Sequence, residues 1–91
     1  MNRIRRLVLD VLKPHQPNAL DFASALADLD PGYRVKLTLV EMDEKTESIV
    51  LVVEGREIRF QEISQAIEQM GASVHSIDEV EVEGAPLEEQ E

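Results

Sequence analysis

Three features predict an α+β sandwich with the element order β-α-β-β-α-β. Four stretches alternate, or run apolar, over strand-like lengths; two repeat apolar residues at helical spacing; and proline or glycine stands at most of the joints between them. A chain of 91 residues makes one domain. At that size only about 60–65% of the unfolded chain's surface is buried on folding. The stability margin is thin, and an oligomer or a metal ion is a reasonable source of help.

The first strand is RIRRLVLDVL, where Leu7, Leu9 and Val11 share one side. Pro14 and Pro17 end it, because proline has no N–H to give a ladder. NALDFASALADLDPG is the first helix, with Asn18 as N-cap, Asp21 three residues on, and Phe22, Leu26 and Leu29 on one face. Asp30-Pro31-Gly32 stops it. RVKLTLVEMD is a second strand, with Val35, Leu37 and Leu39 on one side. ESIVLVVEG is a third, too continuously apolar for an edge, so it belongs in the middle. The short EKT between them predicts a hairpin. FQEISQAIEQMG is the second helix, striped by Phe60, Ile63, Ile67 and Met70, with Gly71 suited to the position just past its end. SVHSIDEVEVEG is the last strand, with Val80 and Val82 facing in. Right-handed crossovers then favour a ferredoxin-like layout, with sheet order 4-1-3-2 and both helices on one face. The expected core includes Leu9, Leu37, Leu51, Ile63 and Ile67. Residues 1–84 form this domain, and 85–91 are an acidic C-terminal tail expected to fray.

Composition removes several functions. There is no cysteine, which excludes disulfides, zinc ribbons and a thiol nucleophile and fits a cytoplasmic protein. The opening MNRIRRLVLDVL superficially resembles a secretion signal, but its apolar run breaks at Asp10. No apolar run approaches the ~20 residues of a membrane span. A net charge of −10 argues against nucleic acid, whose affinity comes mainly from phosphate neutralisation. The aromatics are only Phe22, Tyr33 and Phe60, too few for a base-stacking platform. Arg3, Arg5 and Arg6 open the first strand and Glu79, Glu81 and Glu83 close the last, so these opposite charges should face each other across antiparallel neighbours.

The predicted strand directions bring the other polar residues to one rim of the sheet. Asp10, Lys13 and His15 arrive with the first strand, Glu41 and Asp43 with the second, Glu47 with the third, and His75, Ser76 and Asp78 with the fourth. Parity puts Asp10 and His75 on the open side together. An imidazole beside a carboxylate can bind a metal or act as an acid–base pair. The candidate metal ligands are therefore Asp10, His15, Glu41, Asp43, His75 and Asp78. Their oxygen-rich surroundings suit calcium or magnesium first, and zinc or manganese second. The plain alternative is a cross-strand pair between Asp10 and His75, worth ~0.2–1 kcal/mol, among ordinary hairpin residues. Asp78 should point toward the helices, where a lone carboxylate is costly, unless a bulge turns it out.

LDVLKPHQP, LVEMDEKTESI and VHSIDEV together resemble an uncharacterised, largely archaeal family, domain of unknown function family 211, from about Arg3 to Gly84. The resemblance implies a ferredoxin-like fold and ring-shaped homo-oligomers, and no accepted reaction. The matching positions are Asp10, Lys13, Pro14, His15, Glu41, Asp43, Glu47, His75, Ser76, Asp78 and Glu79. The chain departs from the family at Gly71-Ala72, where two glycines are frequent, and at EVEG, where an apolar residue often precedes Ala and Gly. The leading functional expectation is a non-enzymatic, ring-forming oligomer, with six subunits the expected number and a divalent-metal or small-ligand site at the rim. A small-molecule sensor domain with ligand between subunits is the alternative. A hydrolase using His75 and Asp10 comes third, because no serine stands in a recognisable nucleophile context.

Overall fold

The computed structural model describes residues 2–85. Its elements are β1 (Arg3–Pro14), α1 (Ala19–Ala27), β2 (Arg34–Met42), β3 (Thr46–Glu54), α2 (Phe60–Gln69) and β4 (Ser73–Glu83). The four strands form one sheet in the order β2-β3-β1-β4, every neighbouring pair antiparallel. This is the ferredoxin-like βαββαβ arrangement. Of the acidic tail at 85–91, only Ala85 is described; the expectation of fraying concerns residues outside the described ones.

Local chemistry sets the element ends. The Asn18 side chain accepts from the Asp21 N–H at 2.8 Å and caps α1. The start of α2 has no side-chain cap of its own, and the Arg59 N–H instead donates to the Tyr33 hydroxyl at 2.9 Å. At the end of α2, Gly71 has φ +83°, its N–H donates to the Glu68 carbonyl, and the Ala72 N–H reaches back to Ile67. That is a Schellman closure, which needs a residue in the left-handed region.

One core lies between the helices and the sheet. It holds Leu7, Leu9 and Val11 from β1, Ile49, Leu51 and Val53 from β3, and Phe22, Leu26, Ile63 and Ile67 from the helices. Every fully buried sheet residue belongs to β1 or β3. Leu37, expected in the core, is only half-buried. Val80 and Val82, expected to face in, are 52% and 51% exposed. The reason is position: β2 and β4 are the sheet's edges, and each lacks a neighbour on one side.

The edges are also irregular. The β1–β4 register shifts three times, leaving Arg5 extra on β1 and His75 and Asp78 extra on β4. A further shift leaves Val40 extra on β2. Each is a bulge, which bends its strand and re-aims a side chain.

Candidate functional site

The alternation that buries Leu7, Leu9 and Val11 does not stop there. It carries Lys13 inward as well, just as the alternation of Val53, Leu51 and Ile49 carries Glu47 inward on β3. The two face each other in the β1–β3 ladder. Lys13 has no exposed surface and Glu47 only 8%. The Lys13 Nζ donates to Glu47 Oε1 and to the Pro14 carbonyl, both at 2.9 Å, and lies 5.8 Å from the centre of the Phe22 ring. Glu47 Oε2 is 3.0 Å from His15 Nδ1, and His15 Nε2 is 3.0 Å from the Glu44 carbonyl oxygen.

This geometry favours the charged form of His15. An ionised carboxylate and a carbonyl can only accept hydrogen bonds, so both contacts are satisfied when both ring nitrogens carry protons. The imidazolium form is accordingly favoured: the Glu47 hydrogen bond, then the Glu44 carbonyl, raises the His15 pKa above its ordinary value. The same bond, followed by that from Lys13, holds Glu47 below the usual carboxylate range. Asp43, in the hairpin turn, is lowered by the backbone N–H groups of Thr46 and Lys45, at 2.8 and 2.9 Å. Among the described residues no buried side-chain nitrogen or oxygen lacks a partner. The network therefore closes the β2–β3 hairpin over the end of β1, and its polar groups are already committed.

The six candidate metal ligands do not form one cluster. His15 joins Glu47 on the helix side of the sheet. Asp43 is occupied by its own turn. Glu41 is exposed on the β2 edge. Asp78 is turned out by its bulge, as one of the two sequence alternatives required, and accepts the Ser76 hydroxyl at 2.7 Å. Asp10 and His75 do share a shallow hollow of about 210 Å³, with Val11, Leu12 and Ser48. No hydrogen bond or ion pair joins them. Among the described residues, no three His, Asp or Glu side chains are placed to hold a metal ion. The candidates share a rim by strand direction, but the two faces of the sheet and the bulges of β4 separate them. The strand read from the sequence ends at Leu12, one residue before Lys13; continuing the period of two past Val11 finds the Lys13–Glu47 pair.

The open face of the sheet has its own order. Four residues stand in a row across it, Glu81, Arg6, Glu54 and Arg34, from β4 to β2. The next row is Glu79, Val8, Val52 and Lys36. The third is Ser76, Asp10, Val50 and Thr38. The face is thus acidic along β4, basic along the start of β2, and partly apolar between. The predicted facing of charges holds: Arg5 meets Glu83 at 3.0 Å, and Arg6 meets Glu79 at 2.6 Å and Glu54 at 2.7 Å.

Comparison with known proteins gives a family and no reaction. The model of DUF211, described as an uncharacterised ArCR family, matches residues 5–91. An uncharacterised protein of Methanocaldococcus jannaschii is 46% identical over 80 residues, covering 88% of this chain and 82% of that one. Among the described residues no helix is long and apolar enough to cross a membrane.

Proposed function

The chain belongs to the uncharacterised family DUF211, and from that premise we propose that it is a non-enzymatic homo-oligomer whose subunits join edge to edge in a closed ring. One observation carries this reading: among the described residues, both edges of the sheet lack a neighbouring strand and are under-covered on the helix side. On β4, Ile77, Val80 and Val82 face that side and are 51–52% exposed. On β2, Leu39 is 47% exposed, and Val40 and Met42 beyond it are 64% and 56% exposed. A strand added at either edge, bringing its own helix layer, would cover such residues.

The directions are compatible. In the order β2-β3-β1-β4 with every pair antiparallel, the two edges run opposite ways. Strand β2 of one copy can then pair antiparallel with β4 of the next, and the alternation continues across the joint. Such a contact is head-to-tail, and it closes into a ring when the rotation permits. The acids of β4 oppose pairing of two β4 edges, which directs the joint toward β2.

Light scattering on a gel-filtration column tests this at tens of micromolar protein. The expected mass is a multiple of the 10.3 kDa chain, sixfold for a hexamer. Val80→Lys, which puts a charge on the half-exposed β4 edge, should reduce the mass while leaving the far-ultraviolet circular dichroism intact. A single monomeric mass for the unsubstituted protein, in low and in moderate salt, rules the reading out.

A further inference from the structure

Five cations surround one groove on the open face of the sheet, at the end opposite the Lys13–Glu47 network. The groove consists of two adjoining hollows of about 260 and 350 Å³, which share Arg6, Arg34 and Glu54. Lys36 lines the first; Arg5, Arg56 and Glu81 line the second. Glu54 and Glu81 also line it, and Glu79 and Glu83 pair with Arg6 and Arg5 at its margin, so these acids occupy the two first-strand arginines and not the other three cations.

The cations fall into two groups. Arg6 is held by Glu54 at 2.7 Å and Glu79 at 2.6 Å. Arg5 is held by Glu83 at 3.0 Å and the Gly55 carbonyl at 3.2 Å. These two are fixed wall. The side chains of Arg34, Lys36 and Arg56 make no hydrogen bond or ion pair among the described residues. They come from two places in the chain: Arg34 and Lys36 from the start of β2, and Arg56 from just beyond β3. In a chain with 19 acids against nine Lys and Arg, three uncommitted cations at one groove run against the overall balance.

We propose that this groove binds a small phosphate-type oxyanion, either inorganic phosphate or a phosphate monoester. Guanidinium groups present a planar fork of N–H donors that matches two phosphate oxygens at once, and an ammonium adds a third direction. A dianion answers the three uncommitted cations, Arg34, Lys36 and Arg56, better than a monocarboxylate does. Fixed neighbours reduce the ordering cost, because Arg5 and Arg6 already sit in bonded positions. The inference goes beyond assembly and stands without it.

Isothermal titration of the full chain with inorganic phosphate, against chloride at matched ionic strength, measures the binding directly. The expected result is a saturable heat, with the amide signals of Arg34, Lys36 and Arg56 moving in a parallel ¹⁵N spectrum. Arg34→Gln and Arg56→Gln, both at exposed positions, should each weaken it about tenfold. Lys45→Gln, in the distant hairpin turn, should leave it unchanged. Absence of saturable binding overturns the proposal, as does equal weakening by all three substitutions. It is overturned too if phosphate does not bind while Arg34→Gln lowers the assembled mass, for then the cluster is a seat for carboxylates of a second copy.

Discussion

Glu47 has two carboxylate oxygens, and each serves a different cation. Oε1 takes the fully buried Lys13, and Oε2 takes the half-exposed ring of His15. Burying Lys13 alone would strand a charge away from water, a cost that only a close partner and further hydrogen bonds offset. His15 then transmits this arrangement outward, because its far nitrogen holds the Glu44 carbonyl in the hairpin turn. The pH dependence follows from the directions of the shifts. His15 is raised from 6.5, so its contribution is complete below that value and is lost as pH rises through the folded pKa. Glu47 is lowered from 4.5, so its contribution is complete above that value and is lost as pH falls through the folded pKa. The latch is strongest between 4.5 and 6.5. Thermal melting of the protein and of His15→Gln, from about pH 5 to pH 9, should show the widest gap at the acidic end and convergence at the basic end. A gap that stays constant across that range would mean that His15 packs there without holding the charge.

The end of α2 shows what an element asks of one position. A Cβ built on Gly71 would meet only Pro14 Cγ, at 3.5 Å, an ordinary contact. The cost of Gly71→Ala is therefore backbone strain from the left-handed φ, roughly 1–2 kcal/mol. Denaturant titration should show that loss with an unchanged slope, and Gly71→Asn should lose less. A loss well above that range would point to a clash. This glycine was readable from the sequence, since it follows the last apolar residue of a helical stripe. So were Asn18, the central place of β3 and the sheet order, each from a period, a cap or a turn residue. The edge strands were not equally readable. Val80 and Val82 alternate as buried residues do, but alternation records which face a side chain takes and not whether anything covers that face. Nor could it reveal that His75 and Asp78 occupy bulges, which depend on pairing with β1. The proposed metal ligands dispersed for the same reason: a shared rim is a property of strand directions, while a shared site needs one face and an unbroken register.

At the scale of the whole molecule, a small core is combined with two unfinished edges. The sheet's fully buried residues are confined to its two central strands, so the outer half of the sheet adds little burial to an isolated chain. Exposed edges are a liability that proteins cover, charge or bend. Here β4 is bent by two bulges and lined with Glu79, Glu81 and Glu83, and β2 has a bulge of its own. Those devices restrain indiscriminate pairing, but they leave Ile77, Val80, Val82, Leu39, Val40 and Met42 in water. Each apolar side chain fully buried at a joint contributes ~1.5–3 kcal/mol, and these are already about half covered. Several such contacts per joint are a large addition to a domain whose stability is of order 5–15 kcal/mol. If association supplies that share, stability must depend on mass action, because only the folded state assembles. Melting curves recorded over a hundredfold range of protein concentration should then rise steadily in midpoint. Val80→Lys should melt at a lower temperature that no longer varies with concentration. A concentration-independent midpoint for the unsubstituted protein would show that the two central strands and two helices suffice alone, and that the edges are left open for something other than a second copy of this chain.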